Sequence, residues 1–402
     1  MSSRRPLAPL VAALLATGCA TVSRPPVTIP QLVARADSFD RDEGARRAAI
    51  VDRLARRAAR RGDGTLDILL LSGGGQHGAF GAGFLRGWQE RTDQPLPVFD
   101  LVTGVSTGAL QSPYALVGTR ASLDALGALY RDAADRVAPG VDWLAVLRLR
   151  RTGGVVDVSR LRATVTALVD DSLRAALARA RAEGRQLVVT STDLDLGRQR
   201  TWDLGDELVR PDGVQRLRDA LVASSAIPGI FPPIVIDGHV HADGGTTGNL
   251  APVLDLDGFR RLGARLRAEG VTTPVTVRTW AIMNVWTKAA PQVIDPADRR
   301  EVGQRGNIMF FWAQQRALLG RLDELVHAVR AEVPNVRLEV RHVAIPDSLA
   351  VDPAANKLFD RSWMLRLDSL GVTRARSARP WDAPVSEVPP GDGGARATSS
   401  PR

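Results

Sequence analysis

Cysteine is almost missing: Cys19 is the only one in 402 residues. No disulfide can form within the chain, and no cysteine zinc cage is available. Lysine is nearly as scarce, with Lys288 and Lys357 alone, so arginine carries the net charge of +9. The arginines alternate with Asp and Glu and are not gathered into basic blocks with aromatics. With no zinc-finger spacing, RRM-like signature or basic heptad array, nucleic acid is excluded as a partner. The charge suits an anionic lipid surface better. No acidic calcium loop and no internal repeat appear, and no cofactor is implied. What is present is 44% hydrophobic composition, enough for one large α/β domain or two smaller ones.

The first residues, "MSSRRPLAPLVAALLATGC", place Arg4 and Arg5 before an apolar core from Leu7 to Ala16. That core is too short to span a bilayer, and no later segment is long and apolar enough. Small residues then lead into Cys19. The pattern resembles a bacterial lipoprotein signal, although Ala16 stands where Leu is usual; the other reading is an ordinary secretory signal with an incidental cysteine. The resemblance implies that residues 1–18 are removed and that Cys19 is lipidated, tying the chain to the membrane. Ala20, not Asp, follows the cysteine, which implies a cell-envelope protein on the outer membrane, facing the periplasm.

Residues 19–63 read as a tether rich in Pro and small residues, then a helix over 41–62 with its arginines on a solvated face. From Asp67 onward strands and helices alternate. That predicts a three-layer α/β/α fold around a mostly parallel sheet. Strands are expected at 66–71, 98–102 and 185–194, through "IVIDGHVHADGG", near 280 and at "VRLEVRHVAI". Helices are expected at 122–137, 159–182, around "LRDALVASS", at 318–331 and at 359–370. The main domain is placed at 64–370, with 270–370 as either a lid or a membrane-facing wall. Residues 371–402, rich in Arg, Ser, Pro and Gly, are expected to be a disordered tail.

Three glycine motifs carry the chemistry. "LLLSGGGQHGAFGAGFL" reads as strand, tight turn and helix, and Gly73, Gly75 and Gly78 satisfy GxGxxG. A nucleotide site would also want an acid at the end of the next strand, about twenty residues on; the nearest, Asp100, sits inside the second strand. Gly104-Val105-Ser106-Thr107-Gly108 is the only GxSxG in the chain. Between an apolar strand and a helix it fits a nucleophile elbow, with Gly104 and Gly108 removing Cβ clashes; the bland alternative is a serine N-cap with packing glycines. Asp243-Gly244-Gly245 ends a strand and turns sharply. A second DGG at Asp392 has no strand before it. Among the five histidines, His77, His239, His241, His327 and His342, none lies in a late loop beyond an acid. His239 and His241 have metal-ligand alternation, but no supporting motif supplies further ligands, so no metal is expected. His241 is expected to pack beside Asp243.

GGGxxG, GxSxG and DGG in this order, with Ala223-Ser224, Pro228 and Phe231-Pro232-Pro233 before the last, resemble the patatin-like phospholipases over residues 64–260. The resemblance implies a serine acyl hydrolase acting on phospholipids or other acyl lipids. Ser106 would be the nucleophile and Asp243 the base, without histidine. Gly73, Gly74, Gly75, Gln76, His77 and Gly78 would form the oxyanion hole. The family often has Arg or Lys where this chain has His77, which could add charge only when protonated; otherwise His77 merely starts a helix and the amides suffice. The alternative function is a catalytically silent envelope protein on the same fold, binding lipid or a partner. The oligomeric state is left open.

Overall fold

β1 (Thr65–Leu71) is buried from Leu66 to Leu71. A run of this kind without polar alternation is what a strand covered on both faces requires. It lies mid-sheet, parallel to β2 (Leu101–Val105) on one side and β7 (Val275–Met283) on the other. β3 (Gln186–Asp193) continues parallel beyond β2, and β8 (Val336–Ala344) beyond β7. Three antiparallel strands complete one end: β4 (Arg198–Asp203), β5 (Ile234–Ile236) and β6 (His239–Asp243). The order is β5-β6-β3-β2-β1-β7-β8, with β4 paired to β3. The structure, a computed structural model, describes residues 24–137, 154, 156, 158–357 and 359–382. The signal-like segment with Cys19 lies outside them.

Helices cover the sheet in two packed groups. α1 (Ile29–Arg61), α9 (Leu256–Ala268) and α10 (Arg299–Glu332) pack successively on one another. α2 (Gly78–Gln89) packs on α4 (Arg120–Val137) and on α11 (Arg361–Arg376). The intervening helices are α3 (Thr107–Val117), α5 (Ser159–Leu168), α6 (Asp171–Ala182), α7 (Leu204–Leu208) and α8 (Gly213–Ser224). The fold is therefore α/β with a mixed, mostly parallel central sheet.

Several boundaries differ from the sequence reading. α1 begins at Ile29, well before residue 41. Its arginines are not all solvated. Arg57 donates to Asp100 Oδ1 at 2.9 Å, and Arg61 pairs with the same carboxylate. Arg53 reaches Gln186 at 2.7 Å and pairs with Asp203. Asp100, fully buried, also accepts the Asp67 N–H at 2.8 Å, so it is a structural pin and not a ribose ligand. The expected helix at 159–182 is two, with Asp170 capping the second through the Leu173 N–H at 2.7 Å. "IVIDGHVHAD" is a hairpin: Asp237 and Gly238, at φ 53° and 79°, make its two-residue turn. β4, "RQRTWD", had no apolar run to reveal it. The expected tail is ordered as far as residue 382. α11 runs to Arg376, and Trp381 packs among Phe84, Trp88 and Trp280 at ring distances of 4.8–5.1 Å. Residues 383–402 lie outside the described residues.

Asp100→Ala would leave the Arg57 guanidinium without its buried counter-charge, leave Arg61 only the counter-charges of Asp63 and Asp67, and strip the Asp67 N–H of its acceptor. Removing one partner of such a group costs about 3 kcal/mol or more. Urea unfolding should show that loss; a change under about 1 kcal/mol would mean the pin carries little.

Candidate active site

The site is built at the junction of three strands. β4 pairs with β3 from Val188 to Asp193 and so occupies one of its edges. A strand has only two edges, so β2, which pairs with Gln186–Thr190, and β6, which pairs with Ser191–Asp193, share the other. They approach from opposite ends. Val105 lies opposite Thr190, and Asp243 lies opposite Ser191. The residue after β2, Ser106, and the last residue of β6, Asp243, therefore meet, and both line one cavity.

Ser106 has φ 54° and ψ −122°, a left-handed conformation that costs a non-glycine residue free energy unless its surroundings hold it. They do. Its N–H donates to Ser224 Oγ at 3.0 Å, and its carbonyl accepts from Ser225 Oγ at 3.2 Å. Gly104 and Gly108 allow the chain to fold back: a Cβ on Gly104 would strike the Gly108 carbonyl, and one on Gly108 the Leu71 carbonyl. Ser106 is also the N-cap of α3, whose macrodipole favours negative charge there.

Asp243 is buried and fixed through its backbone. Its N–H donates to the Ala226 carbonyl at 2.9 Å, and its carbonyl accepts from Thr192 Oγ1 at 2.9 Å. Its Oδ1 accepts the Gly245 N–H at 2.7 Å, while Oδ2 is sealed from solvent without a well-formed hydrogen bond. Burial pushes the carboxyl up to about 6, opposed by the Ser106 hydroxyl and the Gly245 N–H. The serine is thus close enough to act on the carboxyl but has not closed an ideal bond. Such contacts are often long before substrate binds.

Of the glycine turn's N–H groups, three are already used. Gly73 donates to the Asn249 carbonyl, His77 to Gly74, and Gly78 to Gly75 and Gln76. Gly74 and Gly75 have no partner for theirs among the described residues, and both line the Ser106 cavity. The expected set of six therefore narrows to Gly74, Gly75 and the adjacent Gln76. The Gln76 side chain is occupied elsewhere, donating to the Lys357 carbonyl at 2.6 Å and accepting the Asp360 N–H at 2.8 Å. His77 Nε2 lies 3.1 Å from the Ala355 carbonyl, and its ring sits edge-on to Trp286. Burial holds it down to about 4, so it is neutral at neutral pH. Together Gln76 and His77 clamp Ala354, Ala355, Lys357 and Asp360 beside Ser106.

Ser106 faces two spaces. One is an apolar slot of about 60 Å³, lined by Leu110, Leu129, Leu161, Phe231 and Phe359. The other is an open basin of about 470 Å³ shared with Asp243, Phe311 and Lys357. An amide network missing from the sequence reading supports the turn. Asn284 Nδ2 donates to the Ser72 carbonyl at 2.8 Å and to Gln111 Oε1 at 3.1 Å, and its Oδ1 accepts the Gly81 N–H. Only Ser224, within the "ASS" run, gave a sequence signal.

His241 lies two residues before Asp243 on β6 and so on the same face of the sheet. It bonds Ser191 Oγ at 3.1 Å and lines a separate polar cavity with Trp202, Arg200 and Arg216. His239 instead pairs with Asp193 at 2.7 Å. Asp193, Asp195 and His239 cluster at ligand spacing; Asp193 Oδ1 accepts two backbone N–H groups, and Asp195 Oδ2 accepts from Arg24 and the Val240 N–H.

The family model "Patatin-like phospholipase" matches residues 69–257. A solved structure, VipD from Legionella pneumophila, is similar at 14% identity and a TM-score of 0.32. The match covers 77% of this chain and 66% of that one, just under two thirds of its length. No curated protein matches.

The raised Asp243 carboxyl has a stability consequence. Below pH 3.8 both folded and unfolded chains hold the proton and the group contributes nothing. Between pH 3.8 and about 6 only the folded form keeps it, so stability falls as pH rises. Above 6 the full cost stands, about 3 kcal/mol for a shift of this size. Asp243→Asn removes the charge and keeps the shape. It should be more stable than the parent at pH 8 and equal to it near pH 4, as read by urea unfolding at the two pH values.

Proposed function

We propose, from the premise that residues 69–257 belong to the patatin-like phospholipase family, that the chain is a serine acyl hydrolase working through Ser106 and Asp243. The family supports lipid acyl hydrolysis in general; the dyad and the phospholipid or acyl-lipid substrate are our reading. The observation that carries it is the meeting of a strained, buried serine with a buried carboxylate whose second oxygen is open. Asp243 Oδ2 takes the Ser106 proton as Oγ attacks the ester carbonyl. The oxyanion that forms lies against the Gly74, Gly75 and Gln76 N–H groups and the α3 N-terminus. Collapse expels the alcohol, which leaves with the proton from Asp243. Water then attacks acyl-Ser106 with Asp243 again as base, releasing the fatty acid. The apolar slot suits an acyl chain, and the basin suits the rest of the lipid. His77, held neutral, positions Ala355 and adds no charge. Lipidation of Cys19, and with it an outer-membrane location facing the periplasm, belongs to the same proposal.

Ser106→Ala should abolish fluorophosphonate labelling and ester hydrolysis in a folded protein. Failure of the parent to label would favour the catalytically silent alternative. Asp243→Asn should lower activity by several orders of magnitude, because nucleophile and base act as a unit. Single alanine substitutions of His77, His241, His327 and His342 should each cost less, at most about a hundredfold where the loop shifts. If one of them abolishes acylation while Asp243→Asn does not, the dyad is wrong.

Cys19→Ala should release the protein from membranes or leave its signal uncleaved. Mass spectrometry finding no lipid on Cys19 of the parent would remove the anchor.

A further inference from the structure

α10 is apolar on two opposite faces. Trp312, Gln315, Leu319 and Leu322 are buried against the domain. Val302, Gly306, Met309, Phe310, Ala313 and Ala317 follow one another at helical spacing on the other side. All of these except the half-buried Gly306 are exposed, with Phe310 78% and Met309 46% accessible. A surface helix of a soluble domain ordinarily buries one stripe and shows polar residues opposite. Phe311, on the side turned to the domain, lines the basin with Ser106 and Asp243, so the same helix forms one wall of it. The helix is linked to the glycine turn through Trp286 and Asn249. Trp312 stacks on Trp286 at 5.5 Å, Trp286 meets His77 at 5.0 Å, and Gln315 accepts from Asn249 at 3.2 Å.

The charges around the stripe point to one kind of partner. Arg299, Arg300 and Arg316 are exposed and form no ion pair among the described residues. Arg305 and Arg316 border the stripe on the same side. The acids at the helix start are engaged: Asp298 caps the Arg300 and Glu301 N–H groups, and Glu301 accepts the Asp295 N–H; Glu324 is exposed two turns beyond Ala317. Three large apolar side chains, Val302, Met309 and Phe310, are too little for a stable dimer, which needs about 800 Å² from each partner. They are enough, with flanking arginines, to enter the headgroup region of a bilayer.

We propose that the outer stripe of α10 docks the domain on an anionic lipid bilayer, bringing to the membrane the helix that walls the Ser106 basin. The proposal takes its purpose from the acyl-hydrolase reading, but the docking itself does not need catalysis. The test uses the full chain with Cys19→Ala and Ser106→Ala, so that neither an acyl anchor nor lipid breakdown intervenes. Sedimentation with vesicles of phosphatidylcholine, with and without phosphatidylglycerol, measures binding. Met309→Ser with Phe310→Ser should weaken binding at least about tenfold. Arg300→Gln with Arg316→Gln should remove most of the preference for phosphatidylglycerol. Both pairs are exposed, so the melting temperature should not move. In the Ser106 protein the apolar pair should lower hydrolysis of vesicle lipid by a similar factor and leave a soluble short-chain ester within about twofold. Equal sedimentation of parent and Met309/Phe310 variant overturns the proposal. So does a parent that is dimeric in solution and made monomeric by the same pair, which would assign the stripe to a second copy. Binding through the stripe by a chain that hydrolyses no ester would uphold the docking and refute the catalytic reading.

Discussion

β3 has two edges, and three strands need them. With β4 along one edge from Val188 to Asp193, β2 and β6 must share the other end to end. β2 runs parallel to β3 and β6 antiparallel, so both point their C-terminal ends into the same gap. Whatever residue follows β2 is therefore brought against whatever residue ends β6, independent of the long chain between them. In a parallel sheet that end is also where helix N-termini gather. The serine, the carboxylate and the dipole of α3 are brought together by one pairing rule.

That placement carries a cost which the rest of the fold offsets. Asp243 is removed from water with one oxygen bonded and the other not, and Ser106 is held in a left-handed conformation. Neither would persist in a loose loop. Ser224 and Ser225 grip the serine backbone from α8 and its C-terminal end, while Ala226 and Thr192 grip the aspartate. On the far side of the sheet's start, Arg57 and Arg61 fasten α1 to Asp100 just before β2. The glycine turn is held separately, by the amides of Asn284 and Gln111 below and by the clamp of Gln76 on Lys357 and Asp360. Its free N–H groups are thus pre-oriented without a cationic side chain in the turn.

What the sequence disclosed follows from this division. GGG, GxSxG and DGG are legible because each states a local backbone need: a turn that leaves amides free, an elbow without Cβ atoms, a sharp exit from a strand. The partners of those motifs are not legible. Nothing about Gln76 announces that it will hold backbone nearly three hundred residues away, and Asn284 lies in an ordinary strand exit. α1 was misread because an arginine stripe looks the same whether it faces water or buried carboxylates. β4 was missed because an antiparallel strand at the end of the sheet can be polar. Trp381 was lost inside a composition that reads as disorder, although an aromatic among Arg and Pro was a signal that something there packs.

The same burial alters how the base can be recognised. A free carboxylate titrates near 4 and a histidine near 6.5, so an acidic limb in the rate profile would ordinarily tell them apart. Here desolvation moves Asp243 to about 6, while it moves His77 and His241 down to about 4. Asp243 has exchanged places with these two histidines. A limb near pH 6 is what Asp243 would give in this protein, and one near 4 is what His77 or His241 would give. The inversion arises because burial always penalises the charged form, which is the working form of an acid and the idle form of an imidazole base. A site that excludes water in this way holds its carboxylate close to the pH at which the proposed reaction would have it both take and return a proton. That is the condition under which a lone carboxylate can act as base without a histidine between it and the serine.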